Sequence, residues 1–423
     1  MSTAGLRARV DNLPDPVLVV GFLAAIWLLL TGFAFLVGGQ QWTNLAAGFV
    51  GSVTILVAAY ALLVLALNLQ WGYTGLFNIG VAGFMAVGAY TTAILTAPAD
   101  AGAGSVPGFG LPLWVGLLGG MVMAAVVGAV AALPALRLKA DYLAIVTVAL
   151  SEIIRLFVNW SGVAEVRLFG ARFGTGGGTG ISFPSPSGIV SGLVNGPGQP
   201  IVALAESVGI SGPNVANIAY GLVLLAVVAG GYWVLARVVN SPFGRVLKAI
   251  REDETVTQSL GKDTRLFKIK AFMIGCALMG LAGALFRGQA GYISPQQFRP
   301  AITFYVFAAL IIGGSGSNTG SILGAATFAA LLFYVPARLG EYAPVAGSGT
   351  PGNIVEAVAA LSSLDPLPML AYTAANVSTL RFVLIGVVLI LIIQRQPDGL
   401  LGHRAEPASS VPLDRPQGGE DDE

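Results

Sequence analysis

The chain has 423 residues, 55% of them hydrophobic and only 10% charged, with a mean hydropathy of +0.79. Soluble domains carry roughly 25% charged residues, so this composition cannot clothe a water-soluble surface. It describes an integral membrane protein, with room for about ten spans of roughly 20 apolar residues. One cysteine (Cys276) and one histidine (His403) exclude an internal disulfide, a Cys- or His-rich metal site and histidine-based acid–base chemistry. No metal and no cofactor is expected, and most enzyme classes fall away.

The net charge of +1 hides an asymmetry. Residues 403–423 hold six acids against two bases, which leaves 20 bases against 15 acids elsewhere. That tail is rich in Pro, Ser and Gly and reads as disordered and solvated. At the other end, Arg7 and Arg9 precede an uncharged run from Val17 to Val37. The run is longer than a signal-peptide core and lacks a small-residue cleavage site, so it reads as a retained first span behind a cytoplasmic segment, 1–16. Further spans fit near 46–69, 78–97, 111–136, 142–160, 215–236, 269–290, 301–315, 320–337 and 379–394.

With ten spans and both termini cytoplasmic, every basic cluster falls inside: Arg137 and Lys139, the loop 237–270, and Arg395, His403 and Arg404. The positive-inside rule expects that arrangement. The loop 237–270 alone holds eight bases against four acids. Two weakly charged loops, 161–214 and 338–378, fall outside. They are either connectors or surfaces that receive an external partner. The membrane domain is expected to cover 17–402.

Fifty-seven glycines need a reason in a helical protein. Small residues four apart, as in Gly316-x-x-x-Gly320-x-x-x-Gly324, allow close helix packing. Gly-dense stretches also break helices within the membrane, or form re-entrant segments, and leave backbone to line a cavity. Two stretches suit that use, with ordinary turns as the alternative: Asn68 to Gly80, containing Gly72 and Gly75, and Gly313-Gly314-Ser315-Gly316 to Gly320. A shift of 241 positions lays Gly72, Gly75 and Gly83 onto Gly313, Gly316 and Gly324, a weak sign of an internal repeat. Asn68, Thr74, Asn78 and Ser315 are the candidates for lining a translocation path.

Ionisable residues within the spans are few. Glu152 and Arg155 are three apart on one face, either a neutralised structural pair or a functional one. Arg287 reads as a side chain snorkelling outward. No G-x-x-x-x-G-K-[ST] loop appears, so uphill transport would draw on another subunit or an ion gradient. Nothing points to a nucleic acid partner.

The most informative segment runs from Ser241-Pro242-Phe243-Gly244-Arg245 through Lys248-Ala249-Ile250-Arg251-Glu252-Asp253-Glu254 to Leu260-Gly261, then Lys268 and Ala271-Phe272. Pro242 suits the first turn of a short helix and Gly261 a stop. Arg245, Lys248 and Arg251 recur on one face beside Val246, Leu247 and Ile250. Such a helix would lie on the membrane or dock on a partner, unless it is a plain connector.

This segment resembles the cytoplasmic loop of LivM-type permeases, the membrane subunits of branched-chain amino acid importers of the ATP-binding cassette class. Four more segments agree in the same order: Gly72-Tyr73-Thr74-Gly75 with Gly88-Ala89-Tyr90, Arg137-Leu138 with Tyr142 to Thr147, Gly313 to Ala325, and Pro397-Asp398-Gly399-Leu400. Two departures stand out, Val256-Thr257-Gln258-Ser259 where the family has small residues, and Asp141 before Tyr142.

The resemblance implies a permease subunit in a prokaryotic plasma membrane. Its partners would be a sister permease, two cytoplasmic ATPase subunits and an external solute-binding protein. Ala249, Arg251, Glu254 and Gly261 would couple it to the ATPase, joined by Arg245 and Lys248 from the basic spacing of the same helix. Relatives that carry urea or short amides keep that substrate class open. A stand-alone secondary transporter or channel is the rival of another class.

Overall fold

The computed structural model describes residues 14–100, 106–135, 140–168, 171–342, 351–359, 367–396 and 399–401. The tail 403–423, the segment 1–13, Arg137, Lys139 and Pro397-Asp398 lie outside the described residues, and so does the Asp141 side chain. The first helices are α1 (Asp15–Val37), α2 (Trp42–Leu67), α3 (Val81–Thr96), α4 (Leu113–Ala135) and α5 (Ala140–Asn159). A short hairpin, β1 (Val166–Leu168) on β2 (Ala171–Phe173), and strand β3 (Ile181–Ser182) lead to α6 (Pro186–Asn195), α7 (Gln199–Ser207) and α8 (Gly212–Val239). Then come α9 (Pro242–Glu252), α10 (Glu254–Ser259), α11 (Thr264–Ala282), β4 (Tyr292–Ile293), α12 (Ala301–Gly313) and α13 (Asn318–Ala326). The described chain closes with α14 (Val335–Tyr342), α15 (Ile354–Ala359), α16 (Leu367–Ala375) and α17 (Val377–Arg395).

Seven helices of the described residues are long and apolar enough to cross a bilayer. They are α1, α2 with its extension to Gly72, α4, α5, α8, α11 continued to Arg287, and α13 continued to Arg338. The chain is an all-α, multi-pass membrane protein. Helices also stand at the other three expected spans. Two of these, α3 with 16 residues and α12 with 13, are short because each abuts a break in the chain. Wide turns of π-helix continue α2 (Asn68–Gly72), α11 (Gly283–Arg287) and α13 (Thr327–Tyr334).

The hydrophobic pattern is apolar around the whole circumference of most spans, so sequence periodicity does not say which helix is central. Packing does. The α2 span is 83% buried, against 22% for α1 and α8. It is flanked by α8, α1, α13, α11 and α12, while α3, α4 and α11 form a second tight group. Apolar side chains such as Leu28, Leu36, Trp114, Val122, Ile153 and Trp233 stay exposed on the outer helices, as a lipid-facing surface requires.

The loop 161–214 is more ordered than a connector. Helix α6 packs on α8, and β3 pairs antiparallel with β4, Ile181 opposite Ile293. The Ser185 and Ser187 hydroxyls both donate to the Gln289 carbonyl, at 2.6 and 2.7 Å. These bonds staple the loop to the end of α11.

Candidate functional site

The two glycine-rich stretches meet in the interior. After α2, residues 68–72 widen into the π turn, Gly75 takes a left-handed φ of +75°, and 75–80 form no regular element before α3. Between α12 and α13, Gly314 and Gly316 take φ of +99° and +87°, and Ser317 caps α13 by accepting the Gly320 N–H at 3.1 Å. The Gly316 N–H donates to Asn68 Oδ1 at 2.8 Å, and Asn68 Nδ2 donates to Asn318 Oδ1 at 3.2 Å. One asparagine thus ties both breaks across some 250 residues of sequence.

A freed backbone group in a membrane interior needs a partner. Here side chains supply them. Thr74 Oγ1 donates to the Leu69 carbonyl at 2.8 Å, and Asn78 accepts the Gly80 N–H at 2.8 Å while donating to Gln70 Oε1 at 2.8 Å. Gln70 Nε2 in turn donates to the Phe272 carbonyl on α11 at 2.9 Å. Thr147 of α5 accepts the Ile79 N–H at 2.9 Å, and Thr303 of α12 accepts the Ala82 N–H at 3.2 Å. Asn68, Thr74 and Asn78 are therefore buried and committed to the backbone, whereas Ser315 is half-buried. The sequence reading missed Gln70, although an amide in so apolar a run was the available signal.

The glycines follow the same geometry. A Cβ on Gly72 would stand 1.9 Å from Asn68 Oδ1 and 2.7 Å from the Gly316 nitrogen. Gly313 and Gly320 face one another, a Cβ on the first lying 2.0 Å from the carbonyl oxygen of the second. The closing Gly399-Leu400-Leu401 segment docks here too, with the Leu400 N–H donating to the Ile312 carbonyl at 2.9 Å.

Helix α9 leans on this junction. It begins at Pro242 with Ser241 as N-cap, and Leu247 and Ile250 are buried. The three bases do not share one solvated face. Arg245 is exposed, but Lys248 is 7% exposed and lies 5.8 Å from the Tyr73 ring, and Arg251 Nη1 donates to the Gly72 carbonyl. Three-residue spacing sweeps the bases around the helix, which turns Lys248 inward, leaves Arg245 outward, and keeps Arg251 exposed at the edge with its guanidinium tip on the Gly72 carbonyl. Ala249 is half-buried.

Asp253 caps α10 by accepting the Thr255 and Val256 N–H groups at 2.8 and 3.0 Å. Glu254 pairs with Lys268 and accepts from Thr264 Oγ1 at 3.0 Å, both on α11. Gly261 ends the unit with φ of +76° and open space around it. The Phe243 and Phe267 rings stack at 5.3 Å. The whole 241–268 unit is thus a braced platform between α8 and α11.

The charges within the spans separate into two kinds. Glu152 and Arg155 form a two-pronged pair on α5, with Arg155 Nε donating to Glu152 Oε2 at 2.8 Å. Arg287 is half-buried. Its Nε is buried, and its guanidinium lies over the Phe286 ring at 4.8 Å. Arg381 on α17, which the sequence reading passed over, behaves alike over Phe333 at 4.2 Å. Among the described residues no cluster of His, Cys, Asp and Glu fit to hold a metal is present.

The comparisons with known proteins point to one family. Residues 49–335 match the model of a family described as branched-chain amino acid transport system / permease component. The high-affinity branched-chain amino acid transport system permease protein LivM of Escherichia coli is 35% identical over 296 residues, covering 69% of this chain and 65% of the relative. Its Salmonella typhimurium counterpart is 34% identical over 311 residues, 72% of this chain and 65% of the relative. A LivM transport permease protein of Methanocaldococcus jannaschii is 26% identical over 370 residues, with 82% and 91% covered. The chain thus spans just under two thirds of the length of the two enterobacterial relatives it matches. No solved structure matches it. The family match covers both broken-helix stretches and the whole of α9, and on it the chain belongs to the branched-chain amino acid transport permeases.

Proposed function

We propose that this chain is one permease of an ATP-driven importer for branched-chain amino acids. It would pair with a sister permease, two cytoplasmic ATPase subunits and an external solute-binding protein. In this reading ten spans cross the membrane with both termini cytoplasmic, and the domain covers 17–402. ATP binding and hydrolysis in the partners drive alternating access, and the permease itself carries no ATPase.

The observation that carries the reading is the contact of α9 with the helix breaks. Arg251 holds the Gly72 carbonyl, and Gly72 abuts Asn68 and Gly316. A push on α9 would reach both breaks through three contacts. A ligand shifts a two-state equilibrium only by its differential affinity for the two states, and the ATPase would exert that difference on the exposed side of 241–261. Arg245, Ala249 and Gly261 supply the receiving face. Lys248, Arg251 and Glu254 transmit to the interior. Asn68, Thr74 and Asn78 shape the path by holding its backbone, and Ser315 reaches toward it.

The test is co-purification in nanodiscs with the sister permease, the ATPases and the binding protein. Wild-type ATPase activity should rise on addition of loaded binding protein. R251A and E254A should assemble normally and lose at least tenfold of that rise. Uptake by the chain alone down an ion gradient, with no ATPase recruited, would sink the reading.

A further inference from the structure

Arg287 and Arg381 sit in one aromatic cluster. Tyr60 of the central α2 lies 6.4 Å from Phe286, 5.4 Å from Phe328 and 6.4 Å from Phe333, and Tyr305 of α12 lies 5.8 Å from Phe333 and 6.1 Å from Phe382. Arg287 lies over Phe286, and Arg381 is sandwiched by Phe333 at 4.2 Å and Phe382 at 5.0 Å. Phe286 and Phe333, the rings that carry the two guanidinium groups, each lie 6.4 Å from the Tyr60 ring, so both arginines border one aromatic cluster. The Nε of each is buried without a hydrogen-bond partner, and among the described residues neither arginine is in an ion pair.

Two like charges without an acid are costly to keep inside a membrane protein, and such residues mark function by default. Stacking occupies the faces of a guanidinium and leaves its in-plane N–H donors free, the fork that matches a carboxylate. A cavity of about 400 Å³ reaches the rings on which the two arginines stack, without being lined by either arginine. Phe286 and Phe333 are among its walls, and it also presents Ser52, Asn217, Gln289 and Arg338. A second cavity of about 470 Å³, lined also by Asn44 and Asn214, shares Ser52, Tyr334 and Arg338 with the first. Both volumes suit a small solute. A lipid headgroup fits poorly, because Tyr60 is 2% exposed on the most buried helix.

We propose that Arg287 and Arg381 form the site that recognises the carboxylate of the transported solute, entered from the Asn44–Asn214 end, with the aromatic rings receiving its apolar side chain. The inference rests on the permease reading and adds to it a site and a chemical class of ligand. A neutral urea or amide would gain nothing from two arginines, so the pair also separates the amino-acid substrate class from that alternative.

The experiment measures leucine delivered per ATP hydrolysed by the complete complex in proteoliposomes, with leucine-loaded binding protein. R287Q and R381Q should assemble, keep the binding-protein stimulation of the ATPase within twofold, and deliver at least tenfold less leucine per ATP. R287K and R381K should fall between. A merely structural role would move assembly and ATPase stimulation along with delivery, and would leave the ratio alone. If a Gln variant fails to assemble, its Lys variant decides, a threefold fall in the ratio supporting the site and an unchanged ratio overturning it. Unchanged ratios in both Gln variants, with stimulation intact, overturn the arginine site alone. Absence of stimulation in wild type removes the permease reading and this site together.

Discussion

At Gly72 an added Cβ would make the shortest contact of any glycine at the junction. Alanine there would place a methyl group 1.9 Å from Asn68 Oδ1 and against the Gly316 nitrogen, so the bond that ties the two breaks must move. Overpacking of a close-packed interior costs about 1–3 kcal/mol. G72A should therefore lower the melting temperature of the purified protein clearly. G230A, at an α8 position with nothing within 4 Å, should leave it unchanged or raise it, since Ala gains up to about 1 kcal/mol over Gly in a helix. Equal effects of the two would remove the special status of Gly72. The sequence marks Gly72 and Asn68 as unusual within an apolar run. It cannot show that they face Gly316, because that neighbour is set by how α2 meets α13 and by nothing local. Lys248 makes the same point from the other side, since only the docking of α9 decides which base turns inward.

Among the elements, the start of α9 was readable from Pro at the first position, Ser before it and an amphipathic turn pattern, but its end was not, because Asp253 breaks the run after Glu252 and Gly261 closes only the following α10. Local capping chemistry fixes such boundaries. The β1–β2 hairpin was not readable, because three-residue strands carry too little alternation to stand out from a Gly-rich loop. Glu165 anchors it through the Arg172 side chain, with Arg167 nearby, and the Arg172 hydrogen bond holds the carboxyl below the usual range. A lowered folded value means the pair supports the hairpin at any pH above the ordinary value of about 4.3. The support fades as pH falls through the lowered one. Amide exchange in 166–168 and 171–173 should accordingly quicken as the solution is acidified below pH about 4, once intrinsic exchange rates are divided out, and E165Q should flatten that trend. The effect should be small, as exposed pairs contribute little. A steep trend that survives in E165Q would assign it elsewhere.

At the scale of the whole molecule, hydropathy and loop charge were enough to place a helix at each expected span, but they left the centre undefined. Uniformly apolar helices carry no stripe to say which side faces lipid. The α2–α13 and α3–α11 contacts that define the middle depend on small residues meeting across the fold. Cys276 tests that middle directly. It is fully buried on α11, close against Gly128 of α4, and it is the chain's one cysteine. A maleimide should leave it unlabelled in the folded protein, and labelling should rise in step with global unfolding by denaturant. Rapid labelling of the native protein would mean that α4 and α11 part readily.

The bond from Asn68 to residues 316 and 318 also has a consequence for biosynthesis. Ribosomes add about 5–20 residues per second, so the 248 residues between Asn68 and Gly316 represent roughly 10–50 s of elongation. Throughout that interval α2 has entered the bilayer with an amide whose mate does not yet exist. The nascent helix must shelter that group at the insertion machinery, against water or another polar surface, until the second half of the chain arrives to claim it.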